Sequence, residues 1–114
     1  MHGIVLTQGT PDRCLRAYPT DEFEKTAANY MASPITTEEG RLLRRNYFSA
    51  AHDTELDRQG RVLIPANLRA FAGLTGQVVV SGAAEAIEIW DAAAYAAKLA
   101  QEEAAFRQTL GASE

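Results

Sequence analysis

The chain contains one short pattern twice, and a chain that repeats itself must find a packing for two copies of one unit. Leu15, Arg16, Ala17 and Tyr18 match Ile87, Glu88, Ile89 and Trp90 at an offset of 72 residues. An apolar residue leads each run and a large aromatic closes it. The same offset relates Phe23 to Tyr95 in the segment that follows. Upstream, Ile4, Val5, Leu6 and Thr7 match Val78, Val79, Val80 and Ser81 at an offset of 74. The two extra residues fall in a turn, where Gln8, Gly9, Thr10, Pro11 and Asp12 face the shorter Gly82, Ala83 and Ala84. Turns absorb such changes in length.

Each unit reads as strand, turn, strand, helix, which makes the fold class α+β. The runs 78–80 and 87–90 are β-branched or aromatic, the composition of strands. Asp91 is placed to cap the helix after them. Pro19 suits the first turn of the matching helix in the other unit. Phe23, Ala27, Tyr30 and Met31 form one apolar stripe at helical spacing, and Tyr95, Leu99, Phe106 and Leu110 form another. Between the units, Thr36 and Glu39 have the spacing of a capping box. It opens a linker helix carrying Leu42, Leu43, Tyr47 and Phe48. The chain thus divides into residues 1–50, the first unit with its linker helix, and residues 51–114, the second unit with a C-terminal helix.

The second unit is preceded by a motif that the first lacks: Glu55-Leu56-Asp57-Arg58-Gln59-Gly60-Arg61-Val62-Leu63-Ile64-Pro65, then Ala66-Asn67-Leu68-Arg69. By the repeat offset, its counterpart would fall before Met1. Asp57 to Arg61 reads as a hairpin whose three-residue loop is a type I turn closed by Gly60 in the left-handed conformation. Asp57 and Arg61 then face each other, and a carboxylate accepts a forked pair of bonds from a guanidinium. Pro65 ends the following strand and opens a short helix, Ala66 to Ala72, closed by Gly73. Two plainer readings stand beside a functional one. The pair pins a turn and does nothing more, or Asp53, Glu55 and Asp57 form a calcium loop. Gly60 is misplaced for that loop and no terminal Glu follows.

Charge limits the functional classes. Fifteen acidic residues stand against 11 basic ones, a formal net charge of −4, which argues against a uniformly basic nucleic-acid-binding domain. A local patch remains open, since six of the 11 lie in two segments: Arg41, Arg44 and Arg45, then Arg58, Arg61 and Arg69. The single cysteine, Cys14, cannot form an internal disulfide, and with no histidine near it in sequence it reads as a buried, inert thiol. His2 and His52 lack metal-ligand spacing and read as surface residues. No catalytic residue, metal site or cofactor is expected: there is no nucleophile–base pairing, phosphate loop or metal cluster. No apolar run approaches the ~20 residues of a membrane span. The N-terminus lacks the basic and apolar regions of a signal peptide. No membrane partner is expected, and the expected location is cytoplasmic.

The stretch from Leu56 through Arg69 resembles the second-half motif of the MraZ family. Ile87-Glu88-Ile89-Trp90, Ala17-Tyr18-Pro19 with Phe23, and the linker helix through Arg44, Arg45 and Phe48 are similar to the same family. The resemblance implies a SpoVT/AbrB-like swapped-hairpin β-barrel, built from two interlocked repeats that each carry an Asp-x-x-x-Arg core. It further implies a sequence-specific DNA-binding transcriptional regulator, nucleoid-associated, assembled as a ring-shaped homo-oligomer. Its partner would be double-stranded DNA, at short direct repeats upstream of the division and cell-wall gene cluster, its own promoter included. In that picture Arg61 and Arg58 contact DNA from the hairpin. Arg69 reaches phosphate or makes a structural pair, and Asp57, Gly60 and Pro65 hold the motif. Arg41, Arg44 and Arg45 read as a solvated helix face or a subunit contact, and Tyr18, Phe23, Trp90 and Tyr95 as core. Only one copy of the motif is present, so an exposed strand edge and an uncovered part of the core are expected. The alternative reading is an antitoxin-like or assembly module that holds a protein partner. It would use a C-terminal tail, residues 107–114, in which Leu110 is the one anchor.

Overall fold

In a computed structural model, which describes residues 3–112, the chain runs through β1 (Gly3–Gln8), β2 (Leu15–Pro19) and α1 (Thr20–Tyr30). Next come α2 (Glu38–Leu43), a π-helical turn (Arg44–Phe48), and a four-residue strand, β3 (His52–Glu55). Then follow α3 (Ala66–Ala72), β4 (Val78–Ala83), β5 (Ala86–Asp91) and α4 (Ala92–Ala112). Met1, His2 and residues 113–114 lie outside the described residues, and with them the expected surface position of His2.

The strands form one antiparallel sheet in the order β3-β1-β2-β5-β4. Both repeat offsets are kept in its register: Ile4 pairs with Pro19, and Val78 pairs with Asp91. At the centre β2 meets β5, with Leu15 opposite Ile89, Arg16 opposite Glu88 and Ala17 opposite Ile87. An approximate two-fold axis therefore runs between β2 and β5 and relates the two hairpins. One strand departs from it. β3 belongs to the second half of the chain but pairs with β1 of the first, Leu6 opposite His52 and Gly3 opposite Glu55. The halves thus interlock in the swapped-hairpin manner. Among the described residues no strand pairs with the outer edge of β4, and the sheet is open.

The two faces are filled differently. On one, Leu6, Leu15, Ala17 and Ile89 pack with Ala50 and with Leu68 and Ala72 of α3; Ile4, Val62, Ile64, Phe71 and Leu74 line the margin. Fully burying a side chain such as Leu6, Leu15 or Leu68 stabilises by about 1.5–3 kcal/mol. On the other face the rings cluster. Tyr18 lies 5.9 Å from Phe23, and Tyr47 touches Phe23, Tyr30 and Phe48 at 6.0, 4.7 and 5.5 Å. The buried Thr7 hydroxyl donates to the Tyr47 carbonyl at 3.2 Å, so the linker helix is tied to β1 by a polar as well as an apolar contact. Tyr18 and Trp90 are buried and Phe23 and Tyr95 half-buried, in keeping with a core role.

The first face is covered on one side of the axis only. Leu6 is 0% exposed and its counterpart Val80 64%; Leu15 is 0% exposed and its counterpart Ile87 45%. The cover over Leu6 and Leu15 is α3 and residues 62–64, for which β4 has no counterpart among the described residues. The expectation of a bare edge and a partly uncovered core is met at β4.

Several local expectations are corrected. The linker-helix cap is Thr37 rather than Thr36: its hydroxyl accepts from the Gly40 N–H at 3.0 Å. The chain turns at Pro34, whose carbonyl accepts from the Thr37 N–H, so the helix starts one residue late and Glu39 makes no capping box. Pro19 is the residue before α1, not a member of its first turn. Residues 62–64 are in no strand. Their alternation survives, with Val62 and Ile64 half-buried and Leu63 84% exposed, but their backbone has no ladder. Asp91 caps α4 as expected, its carboxylate accepting from the Ala94 N–H at 3.1 Å. The α4 stripe packs on the sheet at its start, where Tyr95 lies 5.7 Å from Trp90 and its hydroxyl bonds the Ser81 hydroxyl. Leu99, Phe106 and Leu110 are more than half exposed, because the helix projects past the sheet. Residues 107–112 continue that helix instead of forming a tail.

Candidate nucleic-acid interface

The hairpin at residues 57–61 is closed by backbone bonds at both levels. The Asp57 N–H donates to the Arg61 carbonyl at 2.8 Å, and the Gly60 N–H donates to the Asp57 carbonyl at 3.0 Å. Gly60 has φ +77°, the left-handed region that only glycine enters without steric cost. The Asp57 carboxylate does not pair with the Arg61 guanidinium. Its Oδ1 accepts from the backbone N–H groups of Gln59 at 2.9 Å and Arg61 at 2.8 Å. The expected fork is corrected on that point. A short carboxylate at the base of a tight turn lies nearer the turn's amides than the end of a long arginine. Asp57 thus holds the loop through this oxygen.

The arginines are left for other work. The Arg61 guanidinium donates to Gln59 Oε1, across the tip of the loop. Arg58 is exposed and makes no hydrogen bond or ion pair through its side chain among the described residues. After Pro65, α3 turns Leu68 and Ala72 inward and Arg69 outward, where the Arg69 side chain is also unengaged. Gly73 ends the helix in the left-handed conformation, with the Gly73 N–H donating to Ala70 and the Leu74 N–H to Arg69. This pair of bonds satisfies the last carbonyls. Hairpin and helix are therefore one module, docked on β1 through Leu68 and Ala72, with Arg58, Arg61 and Arg69 on it.

Between Leu56 and Ala84 the only acidic residue is Asp57, against three arginines. The acidic balance of the chain resides elsewhere, chiefly on α1, β3 and β5, so the module is locally positive although the whole is not. Arg41 and Arg44 are not part of this surface. Arg41 donates to the Ile35 carbonyl, and Arg44 to those of Ser33 and Gly40. They brace the linker. The Arg45 side chain is exposed and unengaged among the described residues, while its carbonyl accepts from the Ser49 hydroxyl. Two residues that sequence reading did not single out touch this module. Gln59 steadies Arg61. Arg13, from the β1–β2 turn, sits over the Phe71 ring of α3, 4.5 Å from its centroid. Gln59 carried a signal, its place at the loop tip; Arg13 carried none, since only the fold brings it to α3.

Elsewhere the chain offers little chemistry. Cys14 is buried, and burial, with Glu88 nearby, pushes its thiol up to about 11. Among the described residues no group of three or more His, Cys, Asp or Glu side chains could hold a metal ion. No helix among them is long and apolar enough to cross a membrane.

Comparison with known proteins agrees with this architecture. Residues 47–111 match the family described as "MraZ protein, putative antitoxin-like". The chain is 43% identical over 104 residues to the transcriptional regulator MraZ of Salinispora tropica, covering 91% of this chain and 72% of that protein. It is 44% identical over 106 residues to the same-named protein of Thermobifida fusca, covering 93% and 73%. With that of Kocuria rhizophila the identity is 41% over 107 residues, covering 94% and 74%. The matched stretch takes in β3, the arginine hairpin, α3, the second repeat and most of α4, and the chain belongs to the MraZ family.

Proposed function

We propose that this chain is a sequence-specific, DNA-binding transcriptional regulator that presents the hairpin at residues 57–61 to the duplex. The observation that carries the reading is a rigid, glycine-closed loop whose one carboxylate is turned onto its own backbone. This leaves the guanidinium groups of Arg58, Arg61 and Arg69 unopposed by acid. Arg61 and Arg58 at the loop are suited to base edges, where a guanidinium fork reads guanine O6 and N7. Arg69 on α3 is suited to phosphate. The protein acts without catalysis or cofactor. A single acidic subunit with one such hairpin holds DNA weakly, so binding is by a homo-oligomer, a ring, that sets several hairpins on short direct repeats. By family resemblance those repeats lie upstream of the division and cell-wall gene cluster, including this gene's own promoter, in the nucleoid.

The test is fluorescence anisotropy with a duplex from upstream of the chain's own gene, against a scrambled duplex of equal length, across a salt series. Tighter binding to the upstream duplex, falling steeply with salt, supports the reading. Equal affinity for both duplexes sinks it. A second reading, a module that holds a protein partner, is favoured by the exposed apolar stripe of Leu99 and Phe106 on α4. It predicts that Phe106→Glu abolishes the function in cells while leaving DNA affinity unchanged.

A further inference from the structure

We infer that Arg13 belongs to the DNA-facing surface, as a phosphate contact supplied by the first repeat to the second repeat's module. The inference rests on the DNA-binding reading above and adds to it a residue from the other half of the chain. Its observations are independent of the hairpin. The Arg13 guanidinium lies 4.5 Å above the Phe71 ring of α3, two residues beyond Arg69. Stacking uses the face of the guanidinium and leaves its N–H groups at the rim. None of them is bonded to protein among the described residues, and Arg13 is exposed. Other arginines of the fold are spent: Arg16 on Glu88 and the Thr10 carbonyl, Arg41 and Arg44 on backbone carbonyls, Arg107 on Glu103. The acid next to Arg13 does not neutralise it either, because Asp12 pairs with Lys98 at 3.2 Å.

The internal two-fold sharpens the point. The residue equivalent to Arg13, 72 positions on, is Glu85. The first repeat's turn, which abuts the arginine-bearing module, carries an arginine at this position, and its Asp12 is paired with Lys98. The second repeat's turn, which abuts no such module among the described residues, is acidic. A purely structural cation on Phe71 would not call for an unbonded rim on the flank that also carries Arg69. A phosphate is the fitting ligand, since Arg13 is held on the side of α3 and not at the loop tip that would enter a groove.

The full chain and the same two duplexes test this. Arg13→Gln, which keeps the stem and removes the charge, is expected to weaken the upstream and scrambled duplexes by the same factor, about three- to tenfold. It is also expected to reduce the slope of log affinity against log salt by about 0.9 for each subunit engaged on the duplex, the loss of one phosphate contact apiece. Arg13→Lys keeps the charge and is expected to retain the slope. A salt slope in Arg13→Gln equal to that of the unaltered chain overturns the inference while leaving the DNA-binding reading intact. So does a loss confined to the upstream duplex. If the unaltered chain binds neither duplex, the functional reading itself falls, and this inference with it. If Arg13→Gln loses its helical circular dichroism, Arg13→Met, which fills the space over Phe71 without a charge, takes its place: a reduced slope in the folded methionine variant supports the contact, and an unchanged slope overturns it.

Discussion

Arg16 and Glu88 occupy the same place in the two repeats, carry opposite charges, and face each other across the centre of the sheet, Nε to Oε2 3.6 Å. Two identical residues at that point would set like against like on the internal axis. The Glu88 carboxylate also accepts from the Trp90 indole N–H at 2.9 Å, so it is held from two sides. Arg16→Glu is expected to destabilise by about 2 kcal/mol or more, since it leaves a half-buried carboxylate facing another. The exchange Arg16→Glu with Glu88→Arg is expected to recover only part, because an arginine at 88 cannot accept from Trp90. Thermal melts of the three chains check this; full recovery in the exchanged chain would mean that the indole bond contributes nothing.

The hairpin separates shape from charge. Asp57→Asn keeps an oxygen for the Gln59 and Arg61 amides and is expected to stay near the affinity of the unaltered chain. Asp57→Ala orphans both amides and is expected to lose DNA affinity with little change in helix content. Gly60→Ala forces a side chain into the left-handed region, at a cost of about 1–2 kcal/mol, and is expected to act like Asp57→Ala. Amide exchange at Arg61 reads the loop directly: protection that persists in Asp57→Ala contradicts the role given to the carboxylate.

Arg61 and Arg69 are expected to fail differently. Arg61→Ala should lose about 1–3 kcal/mol on the upstream duplex and narrow the gap between upstream and scrambled DNA. Arg69→Ala should weaken both alike. Neither change should alter the circular dichroism spectrum, as both side chains are exposed. An Arg61→Ala chain that still discriminates as well as the unaltered one would remove Arg61 from base recognition.

Val80 and Ile87 give the internal two-fold a direct trial. A second copy of residues 50–77, fused through a flexible linker ahead of the first strand, has a place to dock beside β4. Burying these two side chains is worth about 1.5–3 kcal/mol each at most, and about 1 kcal/mol already moves the melting temperature of a domain this size by roughly 4 °C or more. Val80→Asp is expected to abolish the gain in the fused chain and to leave the unfused one nearly unchanged. Equal melting temperatures with and without the fused copy would show that the bare half of the sheet is no socket.

Cys14 sets a pH dependence of known sign. Its thiol titrates near 9 when unfolded and is pushed up to about 11 by burial in the folded chain, so the fold favours the protonated form. The stabilisation is complete below about 9 and is lost as the pH rises from there toward about 11. Burial and the Tyr18 hydroxyl also push the Tyr47 phenol above its ordinary range, which adds to the decline at the upper end. Denaturant midpoints from pH 8 upward should fall less steeply in Cys14→Ala. Rapid alkylation of Cys14 in the native chain at pH 8 would contradict its burial.

What the sequence disclosed follows from what local chemistry controls. The two offsets, 72 and 74, were legible because hairpin register is set by side-chain alternation, and both reappear in the pairings of Ile4 with Pro19 and Val78 with Asp91. Gly60, Pro65 and Gly73 announced their own backbone geometry. β3 was not legible. His52, Asp53, Thr54 and Glu55 have no apolar alternation, and the strand exists because the β1 backbone offers it a ladder. Residues 62–64 show the reverse: the alternation of a strand, with no neighbour to complete one. The partner of Asp57 was misjudged because residue types propose an ion pair, whereas the distances inside a tight turn favour backbone amides. Arg13 could not be read at all, since its place on Phe71 is a product of topology.

The pairing of β2 with β5 has a consequence for how the chain comes to be folded. The central ladder joins residues some seventy positions apart, and β1 waits on β3 for its outer neighbour. Contact order is therefore high for so short a chain, and folding is correspondingly slow. On the ribosome the first hairpin can be joined by α1, the linker helix, β3 and α3 as these emerge, but the inner edge of β2 has no ladder partner until β5, the last strand, has left the exit tunnel. For most of its synthesis the nascent chain therefore carries the apolar strand β2 with one margin open, the kind of unpaired edge that exposes a chain to aggregation.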